Sequence, residues 1–331
     1  MIPRVRRAIL TLLAVAAGGA LLVWQIDRVG LDRIASGLSS VGWGFAAILL
    51  LSLLRFVARS MAWTTLIGQK TSIARAVAAT IGGDALGNIT PLSLLVSEPV
   101  KAMYLDAGTG SSRSLAALAA ENFFYSVSVG IYVTLGTAAM LRAFSLPAEI
   151  HLAGFVALGL MAAVLAAAAW TAWQKPALAS AVLSRLPFAR LSAVVDRVRD
   201  FEERTYGSAG REGGRLAVVF ACETVFHLLS FLEAWLTLWW ITGVSAPLAA
   251  FVLDTFNRVV NVVAKMIPFR IGVDQVTSES VGVAIGLAPA VGTTVSLIRT
   301  GRMVVWAVVG LALLAKRSLG ARKPGSQEAR S

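Results

Sequence analysis

The chain has 331 residues, 57% hydrophobic and only 15% charged, with mean hydropathy +0.74. A soluble globular protein carries about a quarter charged residues, so this composition excludes that class and implies a polytopic membrane protein. The formal charge of +12 marks cytoplasmic loops and contact with anionic headgroups, and no nucleic-acid partner is expected.

Arg4, Arg6 and Arg7 precede an apolar run over residues 8–24. The run is long for the core of a signal peptide, and further membrane segments follow. It is expected to be an uncleaved first span over residues 8–26, near the ~20 residues that a crossing needs. Its basic flank keeps the amino end in the cytoplasm. Residues 28–41 are amphipathic, with Val29, Ile34, Leu38 and Val41 on one face and Asp32 and Arg33 opposite. They are expected to lie in the outer interface. Residues 43–67 form the second span.

Residues 72–105 are too broken for a simple span. Residues 73–86 are helical in pattern, Gly87-Asn88-Ile89-Thr90-Pro91 interrupts them, and residues 92–105 resume with Glu98, Pro99 and Lys101. A re-entrant hairpin on the cytoplasmic side fits this pattern. Residues 114–141 form the third span and 152–173 the fourth, joined at Ser145-Leu146-Pro147. Residues 174–214 are hydrophilic and rich in arginine, which places them in the cytoplasm. The spacing around 191–201 suggests a helix on the inner surface, and the loop is a candidate site for a soluble partner.

Residues 215–242 form the fifth span, with Trp235, Trp239 and Trp240 near its outer end. Residues 247–267 and 268–286 repeat the broken-hairpin pattern, now from the outer side. Residues 291–315 form the sixth span and a basic, polar tail follows. Each half, about 8–147 and 148–316, thus reads span, span, broken hairpin, span, with opposite starting sides. The expected fold is an all-α polytopic membrane protein of two inverted-topology halves within one membrane domain. It is the architecture of many secondary transporters, whose substrate sites sit at such broken segments. Both termini are expected in the cytoplasm, in the inner or plasma membrane of a bacterial cell.

The two broken segments also carry a resemblance. Asn88-Ile89-Thr90-Pro91 with Ser97-Glu98-Pro99-Val100-Lys101 resembles an Asn-x-x-x-Pro, Gly-Glu-x-x-Arg stretch, and Glu121 resembles the Glu-Arg after it. Ile267-Pro268, Gly272 and Glu279, then Leu297-Ile298-Arg299 with Arg302, resemble a Pro-Gly-Gly-x-Gly-x-x-Glu stretch and the following Leu-x-x-Arg. Arg59-Ser60-Met61-Ala62-Trp63 resembles an Arg-x-x-x-Trp near the end of span two. The family is the flippase-like membrane domain of lysylphosphatidylglycerol synthases, including its stand-alone members. The resemblance covers about residues 8–316. Lys101 stands in place of the family's Arg, Ser97 in place of its Gly, the Gly-Gly of the second motif is missing, and Asp274 is an added acid. The soluble aminoacyl-transfer domain of the synthases is not seen after the membrane part, so no synthesis of aminoacyl lipids by this chain alone is expected.

Ionisable residues inside membrane segments are costly and mark function by default. Arg55, Asn88, Glu98, Lys101, Glu121, Arg270, Asp274, Glu279, Arg299 and Arg302 are candidate headgroup-binding residues. The cations would neutralise a phosphate, and the acids would hold a cationic group or carry protons. Plainer alternatives stand beside these roles. Arg59 can snorkel to headgroups, Glu98 can pair with Lys101, Asp274 with Arg270, and Glu121 with Arg299 or Arg302. Glu223 and His227 share a face of span five and form a candidate proton relay. Asn257 and Asn261 read as interhelical hydrogen-bonding residues. One cysteine, Cys222, excludes an intrachain disulfide, and with His151 and His227 it makes no zinc spacing. No metal, cofactor or phosphate-binding loop is expected. The function expected is movement of a phospholipid or other amphiphile, anionic or zwitterionic, between leaflets. The alternative is a membrane-embedded subunit of a lipid-modifying enzyme, or a scaffold for one; the sequence holds no catalytic motif.

Overall fold

A computed structural model describes residues 20, 23, 31–68, 71–90, 93–105, 111–173, 209–264, 267–270 and 272–320. The expected first span (apart from Ala20 and Val23), most of the basic loop and the tail lie outside the described residues. Among those residues the chain is entirely helical. The helices are α1 (Leu31–Val41), α2 (Gly44–Ile67), α3 (Ile73–Ile89), α4 (Ser93–Leu105), α5 (Ser111–Ala143), α6 (Ala148–Trp173), α7 (Ala209–Thr242), α8 (Pro247–Val263), α9 (Val273–Ala284) and α10 (Pro289–Gly320). Among the described residues a 3-10 turn, Pro268–Arg270, lies between α8 and α9.

Five helices are long and apolar enough to cross a membrane: Gly44–Ile67, Ala117–Ala143, Ala148–Ala167, Gly214–Thr242 and Pro289–Ser318. They answer to the second through sixth spans expected from the sequence. A helix satisfies its own backbone polar groups, which lipid cannot do. The apolar residues are distributed according to neighbours. On α6, Leu152, Phe155, Val156 and Leu160 are each more than 60% exposed, so this helix presents a lipid-facing edge. On α2, α5, α7 and α10 the polar and charged residues face one another inside the bundle.

The helix contacts fall into two matching sets. In the first, α2 packs on α3, α3 on α4, α4 on α5, and α2 on α5. In the second, α7 packs on α8, α8 on α9, α9 on α10, and α7 on α10. The contact of α3 with α10 is matched by that of α8 with α5. At the centre, α2 and α7 lie side by side and run antiparallel. Gly44 abuts the Trp240 indole at one end, and Ala62 packs with Val219 and Cys222 at the other.

Two sequence expectations shift. Helix α3 does not break at Gly87 but continues to Ile89 and ends at Thr90, which is extended (φ −98°, ψ 144°). The glycines of this helix serve close packing rather than a bend. A Cβ at Gly82 would lie 3.0 Å from the Leu314 side chain, and one at Gly83 would collide with Lys101 Cγ. Pro91 then disfavours helical backbone at Thr90. Helix α1 is also packed on protein rather than only at the interface: Val41 is buried against Ile48 and Ile298, and Leu38 reaches Gly301 of α10.

Candidate functional site

Helices α2, α3, α4, α5, α7, α8 and α10 and the Pro268–Arg270 turn enclose a cavity of about 230 Å³. Its wall carries seven cations, Arg55, Arg59, Lys101, Arg258, Arg270, Arg299 and Arg302, against two carboxylates, Asp84 and Glu98. Ser52, Asn88, Ser97, Asn122, Asn257 and Asn261 add polar surface, while Phe56, Tyr125, Phe226 and Trp306 supply aromatic surface. So much charge among apolar helices requires counter-charge nearby.

That counter-charge is specific. Arg59 makes a two-pronged contact with Glu121 (Nε to Oε1 2.7 Å, Nη2 to Oε2 2.8 Å), and its guanidinium lies 4.6 Å over the Tyr125 ring. Arg55 and Arg302 both donate to the same oxygen, Glu233 Oε2, at 2.9 and 2.7 Å. Lys101, itself buried, lies between Asp84 (2.7 Å) and Glu98 (3.1 Å). Arg258 pairs with Asp254 at 3.4 Å and lies over the Tyr132 and Phe226 rings. Asp254 in turn accepts from Tyr132 (2.8 Å) and Ser230 (3.1 Å). Arg299 reaches Asp274 at 3.5 Å and Ser278 Oγ at 3.1 Å. Seven cations thus meet six carboxylates, which leaves one positive charge. The arrangement is also uneven, with a surplus of guanidinium at Arg55 and Arg302 and of carboxylate around Lys101.

The sequence-derived candidates divide accordingly. Arg55, Asn88, Glu98, Lys101, Arg270, Arg299 and Arg302 line one cavity. Glu121 and Asp274 stand behind the wall as partners of Arg59 and Arg299. Glu279 lies apart: it is exposed and accepts from Thr293 Oγ1 at 3.1 Å. Glu223 and His227 are brought together through Ser128, whose Oγ is 3.4 Å from Glu223 Oε2 and 3.0 Å from His227 Nε2. Glu223 and His227 are buried beside the cavity, and the His227 ring stacks on Tyr132 at 4.9 Å.

Two pairings anticipated from sequence are corrected. Glu121 pairs with Arg59 of the neighbouring α2, not with Arg299 or Arg302, so Arg59 is a partly buried partner on the cavity wall rather than a snorkelling cation. Asp274 pairs with Arg299 and not with Arg270, because the α8–α9 turn carries the Arg270 side chain toward Met303. Asn257 and Asn261 line the cavity. Four participants received no role from the sequence: Asp84, Glu233, Asp254 and Arg258. The i, i+4 spacing of Asp254 and Arg258 on a helix was a readable signal. For Glu233 no sequence signal named the partners, because they come from two distant helices.

A protein family described as the lysylphosphatidylglycerol synthase TM region matches residues 11–312. No curated protein and no solved structure matches the chain.

Proposed function

The chain belongs to the lysylphosphatidylglycerol synthase transmembrane-region family, and on that premise we propose that it moves a lipid between the leaflets of the bilayer. Family membership and the apolar helices make it a multi-pass membrane protein with a lipid-related role. Leaflet-to-leaflet movement is the finer reading. The observation that carries it is a cavity walled by seven cations inside a bundle of membrane-crossing helices. A headgroup enters the cavity while its acyl chains remain among the apolar helix faces. Phosphate meets the guanidiniums, and Asp84 and Glu98 receive any cationic part of the headgroup.

The two hairpins, α3–α4 and α8–α9 with its turn, are re-entrant elements of two inverted halves in this reading. Its support is the matched set of helix contacts and the antiparallel run of the corresponding helices α2 and α7. Inverted halves offer two related conformations, open to opposite sides, about one central site. Glu223, Ser128 and His227 form a short polar chain beside that site, a route for coupling protons. Both termini lie in the cytoplasm and the basic loop faces the inner surface.

The test is reconstitution in liposomes with headgroup-labelled lipids, following label accessibility from outside. Wild-type protein is expected to redistribute label between leaflets. A Glu98→Ala, Arg270→Ala double variant is expected to lose at least about tenfold in rate, since each removed charge-assisted contact is worth about 1.5–3 kcal/mol. Unchanged lipid with no redistribution by folded wild-type protein would overturn the proposal. Chemical conversion of the lipid would move it toward the enzyme class.

A further inference from the structure

The turn between α8 and α9 has an unusual backbone. Phe269 and Arg270 take φ +47° and +56°, and among the described residues they are the non-glycine residues with positive φ. An L side chain is crowded in that region, and two in succession are rarer still. Such strain persists only where the surroundings over-determine it. Phe269 supplies the anchor: it is buried with Ala85, Leu86 and Ile89 of α3 and with Met303 and Ala307 of α10. Arg270, next to it, lies on the cavity wall.

Arg270 gains little structural fastening in return. Its Nη2 rests 2.7 Å from Met303 Sδ, a weak acceptor, and its Nε is buried without a hydrogen-bond partner. Asp274, four residues on, is held by Arg299. Among the described residues Arg270 therefore has no ion-pair partner, unlike the other six cations of the wall. Two more guanidiniums in the same cavity are only half compensated. Arg55 and Arg302 share a single carboxylate oxygen, and the Nε of each is buried without a partner. Two guanidiniums against one carboxylate leave a local surplus of one positive charge, and Arg270 adds an unpaired cation to the same cavity wall. Glycine would adopt the backbone of position 270 without crowding, so a purely structural turn gains nothing from arginine here.

We propose that Arg270 is the specificity-determining residue of the cavity, where it acts with Arg55 and Arg302 to bind the phosphate of a lipid headgroup. The inference rests on the lipid-transport reading and adds to it the residue that selects the phosphate. A guanidinium offers a planar fork that matches phosphate oxygens, and a low-dielectric surrounding strengthens the contact. The strained turn places that fork on the cavity wall, where among the described residues no carboxylate lies within ion-pair distance of it.

The test uses the full chain in detergent. Binding of dihexanoyl phosphatidic acid, dihexanoylglycerol and inorganic phosphate is measured by titration calorimetry, with Tm recorded for each protein. Wild type is expected to bind phosphatidic acid and to bind both the phosphate-free lipid and inorganic phosphate at least about tenfold more weakly. Arg270→Gly is expected to weaken phosphatidic acid binding by about tenfold or more while leaving Tm equal to or above wild type. Opposite signs on binding and stability are what a structural role does not produce. Arg270→Lys keeps the charge, loses the fork and is expected to fall between.

Unchanged phosphatidic acid binding by Arg270→Gly would overturn the proposal, as would a Tm below wild type. Equal binding of inorganic phosphate and phosphatidic acid would overturn the lipid part and leave a free-anion site. No binding of phosphatidic acid, with lipid redistribution intact in liposomes, would overturn this inference alone. Loss of both would overturn the transport reading with it.

Discussion

Glu233→Ala is expected to destabilise the protein by about 3–5 kcal/mol, the range found when one partner of a buried ion pair is removed. Glu233 is 6% exposed, and its Oε2 is the shared acceptor of Arg55 and Arg302. Removing it leaves two neighbouring guanidiniums repelling each other on a cavity wall that also carries the Phe56, Phe226 and Trp306 rings. Arg55 already lies 4.7 Å over the Phe226 ring, and that contact, worth about 0.5–2 kcal/mol, cannot replace a carboxylate. Glu233→Gln keeps the shape but loses the charge, and is expected to fall between wild type and the alanine variant. Tm and chromatographic homogeneity in detergent check this. A loss below about 1 kcal/mol, the size expected of an exposed pair, would show that Glu233 does not hold the two arginines.

Arg59→Met is expected to cost a similar amount, about 3–5 kcal/mol, and Arg59→Met with Glu121→Leu to recover most of it. Glu121 is 1% exposed and both its oxygens are committed to Arg59, so either single change strands a buried charge. Replacing both by apolar residues removes the desolvation penalty along with the attraction. The double-mutant cycle should therefore show a coupling of at least about 2 kcal/mol, within the range for residues in direct contact. The doubly substituted protein should still redistribute lipid, because the pair is neutral as a unit and adds no surplus charge to the cavity. Additive single losses would show that Arg59 and Glu121 act independently.

What could be read from the sequence follows from the range of each interaction. The spans were legible because lipid imposes long apolar helices, and the boundaries at Gly44, Ile67, Thr242 and Pro289 follow the hydropathy closely. The broken segments were legible from Gly, Pro and ionisable residues, and they do border the cavity. Partner choice was not legible where it depends on tertiary register. Arg55 meets Glu233 across 178 residues of chain, and Arg59 meets Glu121 across 62. Local spacing instead suggested Asp274 with Arg270, and the turn geometry at Phe269 and Arg270 defeats that pairing. Asp84 illustrates a milder miss. It lies in the broken segment 72–105, but its contact with Lys101 requires the fold of α4 back onto α3. The i, i+3 pair of Glu98 and Lys101 is local and was readable.

The most direct measurement of the central claim is photo-crosslinking with a lipid that carries a diazirine on its headgroup, followed by mapping of the labelled peptides. Labelling is expected on the cavity wall, at Asn88, Asn261 and Trp306, with competition by unlabelled lipid. Labelling confined to the lipid-facing side of α6, at Leu152, Phe155 and Leu160, would contradict it.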